Sequence, residues 1–338
     1  RSSFVRNGAK SSPKGKDKVL KNRQICLISL ISLRGDFFME KNKIKNLSRR
    51  LKNKEIIIID GATGTEIQRR GVKTTLPLWS AKALLTNPNV IKDIHKDYIL
   101  NGADIIITNT FRTTVHTLKK ANLENKATQI TILACKLIKE AIKEAGVEKE
   151  IYIAGSMAPL EDCYSPELTP QKNELEREYL SLAKNLKKGG ADFLLLETMI
   201  TIKETLAAIK AVKKVKMSFA VSFCCNEKNQ LLGGESIKLV IRKIEKYNPL
   251  FIGVNCIQPE LATQLIKTIT KITDLPLCVY ANGYGKPDDD QGWLFSGKKE
   301  INKYLNEAKK WVKSGVQLIG GCCGTTPEYI KTICLTQK

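Results

Sequence analysis

Two adjacent cysteines, Cys322 and Cys323, stand in the run Gly320-Gly321-Cys322-Cys323-Gly324-Thr325-Thr326-Pro327, and a third, Cys256, closes Gly253-Val254-Asn255-Cys256. Neighbouring residues on a regular strand point to opposite faces, so both sulfurs of the pair reach one point only where the strand breaks down. The flanking glycines permit that break, because glycine accepts backbone angles closed to other residues. If the two runs end on one rim, three thiolates converge there. Three protein ligands with a fourth position open describe a catalytic zinc site; a structural one is normally closed by four.

Two carboxylates accompany them. Asp60, in Asp60-Gly61-Ala62-Thr63-Gly64, and Glu197, in Glu197-Thr198, each directly follow an apolar run. Either could cap a helix N-terminus. Two of them facing one metal suit a different task, holding the ammonium group of an amino-acid substrate. His95 and His116 lie inside helical patterns rather than at run ends. That argues against Ser-His-Asp and Cys-His hydrolysis and leaves thiolate–metal chemistry. Cys224-Cys225 is a rival pair, but it lacks the glycine frame and reads as core packing. Cys26, Cys135, Cys163, Cys278 and Cys334 show no partner spacing and read as structural or incidental.

These residues need elements to position them. From Glu55 onward, short apolar runs alternate with amphipathic helical patterns, which predicts a parallel sheet. The strand candidates are 56–59, 104–108, 151–154, 193–196, 219–223, 251–254, 277–280 and 316–319. Eight such units fit a single parallel eight-stranded (β/α)₈ TIM barrel, an α/β fold, better than an open doubly wound sheet. Glycine phrases before three of the runs, Asn101-Gly102, Gly189-Gly190 and Ser314-Gly315, predict left-handed helix caps. No glycine fingerprint of the dinucleotide type follows the first run. Barrel active sites lie at the carboxyl rim, so Asp60, Thr108-Asn109-Thr110-Phe111, Glu197, Cys256, Asn282 and Cys322-Cys323 are all placed where chemistry is expected. Thr325-Thr326-Pro327-Glu328 reads as a helix start with Thr as cap, holding the cysteine loop still.

The chain has 338 residues, a 42% hydrophobic content and a net charge of +22. That length exceeds the roughly 100–200 residues of an average domain but suits one large barrel. Residues 1–38 hold nine Lys/Arg against two acids, a surplus of seven, which leaves +15 for the remainder. They read as a disordered basic extension, not necessarily native to the fold, with a transit segment as the other reading. Residues 39–54 form a basic lead-in and 55–338 the barrel. The apolar stretch at Ile25–Ile31 is far short of the roughly 20 residues that cross a bilayer, so no membrane partner is expected. Ten cysteines without a secretory signal point to reduced thiols and a cytoplasmic enzyme. Charge alone would admit nucleic acid, but no recognition motif supports that partner.

At these residues the chain resembles the homocysteine S-methyltransferase family, which includes S-methylmethionine- and betaine-dependent enzymes and the first module of cobalamin-dependent methionine synthase. The resemblance rests on Asp60 to Glu66, Leu78-Trp79-Ser80, Thr108 to Phe111, Glu197-Thr198, Gly253 to Cys256 and Gly320 to Pro327. It implies a zinc barrel with Cys256, Cys322 and Cys323 as ligands and the homocysteine thiol at the open position. It further implies that Asp60 and Glu197 hold the ammonium group, with backbone contacts from Gly61 and Ala62. Asn282 matches a place where some relatives supply a weak ligand displaced by substrate.

Small molecules, homocysteine and a methyl donor, are thus the expected partners. Trp79, Phe111 and Trp293 are candidate walls for a cationic donor through cation–π contact. With no cobalamin or folate module in the chain, S-methylmethionine or S-adenosylmethionine is the favoured donor. A corrinoid route would need a partner protein, and betaine is the other alternative. A zinc- or nucleic-acid-binding barrel without catalysis is the competing class.

Overall fold

The computed structural model describes residues 42–288, 292–295 and 299–336. The readings for residues 1–38 lie outside that range. The chain divides into Arg1–Asn46 and Leu47–Lys338. Of the first unit, residues 42–46 are described and are helical. The second unit starts with helical residues 47–52. Its reason is apolar: Leu47 and Leu51 are buried, and the Leu51 carbonyl accepts from Gln317 Nε2 at 2.7 Å.

Eight parallel strands form the centre: β1 (Ile57–Ile58), β2 (Ile105–Ile107), β3 (Tyr152–Met157), β4 (Phe193–Met199), β5 (Phe219–Phe223), β6 (Ile252–Asn255), β7 (Leu277–Ala281) and β10 (Val316–Gly321). Their order is β1-β10-β7-β6-β5-β4-β3-β2. A parallel bridge from Ile59 to Ile105 joins the two ends, with Asp60 N–H donating to Ile105 O at 3.0 Å. The fold is the predicted (β/α)₈ barrel. Strands covered on both faces must be apolar throughout, which is why Phe193-Leu194-Leu195-Leu196 is entirely buried. The predicted left-handed caps are present at Gly102, Gly190 and Gly315, with φ of 107°, 84° and 93°.

Two details were not anticipated. In Gly102-Ala103-Asp104 and Gly190-Ala191-Asp192 the aspartate does structural work. Asp104 Oδ2 accepts from Ile58 N–H at 2.9 Å, and Asp192 Oδ2 accepts from Ile153 N–H at 2.7 Å, so each stitches its strand to the preceding one. The loop after β7 also folds into an antiparallel hairpin, β8 (Gly285–Asp288) with β9 (Gly292–Phe295).

His95 lies in the helix Pro88–Leu100, fully buried, with no partner on either ring nitrogen. Burial alone pushes its pKa down to about 3 from 6.5. The unfolded chain therefore takes up this proton first, so stability is fully present above pH 6.5 and falls as the pH drops towards 3. The loss should approach about 1.4 kcal/mol per pH unit over that window. His95→Leu is expected to flatten the acid side of the thermal-midpoint profile; an unchanged slope below pH 6 would refute this.

Candidate metal and substrate site

At the carboxyl rim the sulfurs of Cys256, Cys322 and Cys323 all lie within 4.8 Å of one another. No other cluster of this kind occurs among the described residues. Cys256 follows β6 with φ of +57°, a left-handed step that ends the strand. The Cys322-Cys323 loop is fixed by its neighbours. Cys322 N–H donates to Ala281 O at 2.7 Å, and Gly283 N–H donates to Cys323 O at 2.8 Å. The last helix starts at Pro327, directly after Thr326. Thr325 gives its hydroxyl to Cys322 O at 2.8 Å while accepting from Ala62 N–H at 3.1 Å, and so holds the cysteine loop.

Gly324 is the hinge of that loop. Its φ is +78°, and a Cβ there would stand 2.2 Å from Trp293 Nε1. Gly324→Ala therefore combines left-handed strain with displacement of a buried indole, and about 1–3 kcal/mol of stability should be lost. Denaturant unfolding would measure it, and an unchanged midpoint would contradict the geometry.

The three sulfurs do not share one proton affinity. Hydrogen bonds from Cys322, Cys323 and the Tyr164 hydroxyl hold the Cys256 thiol well below its usual range despite burial, while Cys322 and Cys323 are pushed up. The Tyr164 hydroxyl lies 2.9 Å from Cys256 Sγ, a contact with no signal in the sequence. Cys224 Sγ donates to Cys256 O at 3.8 Å and Cys225 is buried, with its thiol pushed up to about 12 by burial. Both are part of the buried core, and neither belongs to the three-sulfur group. Burial pushes the Cys163 thiol well above its usual range, and the charge of Cys256 pushes it further.

Asp60 and Glu197 share the rim, and both are deprived of water. Burial pushes the Asp60 carboxyl well above the usual carboxylate range, against one backbone hydrogen bond from Ile107 at 3.0 Å, and the charge of Glu197 pushes it further. Burial likewise raises Glu197 to about 7, against a hydrogen bond from the Ser156 hydroxyl. Neither has a lysine or arginine partner among the described residues. Asp60 Oδ1 and Asn282 Oδ1 are buried with no hydrogen-bond partner. Buried acceptors left open are what a ligand rich in donors would satisfy.

Glu197 does not follow its strand, as expected, but lies inside it. Between Leu196 and Met199, β4 carries one residue more than β5, and Thr198 takes φ of +55°. This bulge re-aims the side chains at the rim. Asn255 locks it: its Oδ1 accepts from Thr198 N–H at 2.9 Å, and its Nδ2 donates to Thr198 Oγ1 at 2.8 Å. The Glu-Thr and Asn-Cys pairs are thus one assembly that sets Glu197 relative to Cys256. Behind it, Ser156 N–H donates to Thr108 Oγ1 at 2.9 Å, and Thr110 Oγ1 donates to Ser156 O at 2.8 Å. The Thr-Asn-Thr motif therefore positions the hydroxyl that Glu197 accepts from.

Of the backbone groups expected near substrate, the Ala62 N–H is already taken by Thr325 Oγ1, and Gly61 is packed so tightly that a Cβ would stand 2.7 Å from Tyr98 OH. Trp79 and Phe111 meet edge to face at 6.3 Å, and Asn109 Nδ2 donates to Ser80 O at 3.0 Å to hold the Trp79 loop. Trp293 is buried with its indole N–H unpartnered.

A sequence profile of the family described as Homocysteine S-methyltransferase matches residues 57–336. The chain belongs to that family. It is similar to Homocysteine S-methyltransferase YbgG of Bacillus subtilis (strain 168), 30% identical over 294 residues, covering 82% of this chain and 93% of the relative. Selenocysteine Se-methyltransferase of Brassica oleracea var. italica is 29% identical over 303 residues, covering 82% and 87%. Among solved structures, the metallated form of the homocysteine methyltransferase MmuM from Escherichia coli superposes with a TM-score of 0.73 at 26% identity, over 83% of this chain and 96% of that one. This homocysteine S-methyltransferase family member is accordingly a methyltransferase. No helix among its described residues is long and apolar enough to cross a membrane.

Proposed function

We propose that the chain moves a methyl group from an onium donor, S-methylmethionine or S-adenosylmethionine, to the thiol of L-homocysteine, giving methionine. The observation that carries this reading is the convergence of three cysteine sulfurs within 4.8 Å on the rim that also holds two buried carboxylates lacking cations. The donor set fits zinc: soft sulfur ligands, three in number, beside an open acceptor in Asn282 Oδ1. Cys256, Cys322 and Cys323 would hold it. When bound, zinc lowers the proton affinity of a thiol so that a thiolate is available at neutral pH without a basic residue.

The chain's own groups do the rest. Asp60 and Glu197 take the substrate ammonium, and its charge repays the desolvation that raises both carboxyls. Ser156 and the Asn255–Thr198 lock keep Glu197 from turning away. With the amino acid held, its sulfur attacks the donor methyl carbon in line; the carbon–onium bond breaks and its electron pair leaves with the donor. Positive charge on the donor disappears as this happens, and the half-buried Trp79 and Phe111 rings suit the cation before transfer. Nine free cysteines among the described residues support a reducing, cytoplasmic setting.

The test is methionine formation from homocysteine by zinc-loaded protein, with S-methylmethionine, S-adenosylmethionine, betaine or methylcobalamin offered separately and selenocysteine as a second acceptor. Product with a sulfonium donor, abolished by chelation, is the expected result. Product with methylcobalamin alone would overturn the donor, and no product with any pair would overturn the reaction.

A further inference from the structure

The loop between β3 and the helix Lys172–Gly189 is fastened at several points. Leu160 N–H donates to Glu204 Oε1 at 2.9 Å, and the Tyr179 hydroxyl donates to Ala158 O at 3.0 Å. Glu161 reaches His116, with Oε1 2.6 Å from Nε2, and also pairs with Lys120. The other ring nitrogen of His116, Nδ1, lies 3.0 Å from Glu174 Oε1, and the His116 N–H donates to Glu178 Oε2 at 2.9 Å. His116 thus bridges two carboxylates from two parts of the chain. One of them is three residues before Tyr164.

Tyr164 does not earn its place by packing. It is 54% exposed, yet its hydroxyl reaches a buried sulfur, Cys256 Sγ, at 2.9 Å. An exposed ring gains little from burial, so something else must hold its tip at that sulfur. The fastened loop supplies the hold. A cysteine that ligates a metal carries no proton, so in the loaded protein only the phenol can donate. A hydrogen bond donated to a ligating sulfur draws electron density from it and tunes the metal it binds.

We propose that Tyr164 is a positioning residue for the cysteine centre, donating its hydroxyl hydrogen to the Cys256 sulfur, and that the His116–Glu161 clasp holds it there. This rests on Cys256 being a metal ligand.

Cobalt(II) substituted for the native metal reports both points without turnover, through the sulfur-to-cobalt charge-transfer band and competition with a chromogenic chelator. Tyr164→Phe keeps the exposed ring and should leave folding intact. It is expected to shift the band and change cobalt affinity by about tenfold, the scale of a lost supporting hydrogen bond at a metal site. His116→Gln should shift the band in the same direction, and the double variant should add little to either single one, because both remove the same contact. A Tyr164→Phe spectrum and affinity superimposable on wild type would overturn the proposal. A shift in Tyr164→Phe with none in His116→Gln would overturn the clasp. A wild-type protein that takes up no cobalt would instead overturn the metal reading beneath it.

Discussion

Cys323→Ala is expected to lose tight metal binding and methyl transfer together while the barrel stays folded. The side chain contributes one of three sulfurs within 4.8 Å, and two thiolates do not make a site of the three-ligand type. The loss should exceed the roughly 10–100-fold cost of removing a contact that merely supports a ligand. Folding should survive because the Cys323 backbone, not its sulfur, braces the loop: its carbonyl accepts from Gly283 N–H at 2.8 Å. The residue is also only partly buried, and its side chain is small, so truncation leaves little cavity. Cys225→Ala is the matched control, a buried thiol outside the cluster that should cost stability and leave metal content unchanged. Metal analysis, circular dichroism and the methyl-transfer assay on both variants decide the matter. Stoichiometric zinc with full activity in Cys323→Ala would sink the ligand assignment.

The barrel was legible because parallel strands covered on both faces are written as unbroken apolar runs, and each predicted run overlaps an observed strand, several of which extend further toward the carboxyl rim. Cys256, Cys322 and Cys323 were legible for a related reason: a carboxyl rim collects whatever follows each strand, so strand ends can be read together before any distance is known. What escaped depends on side chains meeting across the rim. Nothing in the spacing of Asn255 and Thr198 announces that they lock, and Glu197 reads as following a strand because a bulge has no periodic signature. Tyr164 stands on a loop whose course is set by tertiary bonds to His116, Glu204 and Tyr179, so its approach to Cys256 has no local cause. The hairpin β8–β9 was hidden too, because it lies in the connection after β7, where no strand was predicted.

Glu197→Gln is expected to cripple acceptor binding and stabilise the fold at the same time. Gln keeps the shape and can still accept from the Ser156 hydroxyl, but it cannot pair with an ammonium group. Breaking a buried charge pair from one side costs about 2–5 kcal/mol, equivalent to about 30- to 5,000-fold in the acceptor KM. Stability should move the other way. Burial raises this carboxyl from 4.5 to about 7, so the folded protein keeps a proton that the unfolded chain has lost. The penalty is absent below pH 4.5, grows as the pH rises to about 7 and is constant beyond. Replacing the acid should therefore raise the unfolding free energy most above pH 7, by about 3 kcal/mol at most, and not at all near pH 4. The same ionisation must precede capture of the ammonium, so wild-type kcat/KM for the acceptor should climb between pH 6 and 8 with one more ionisation than the variant shows. A variant with unchanged KM would remove Glu197 from the substrate site. One that loses stability at pH 8 would mean that its carboxylate is paired in the folded state, contrary to the cation-free burial seen here.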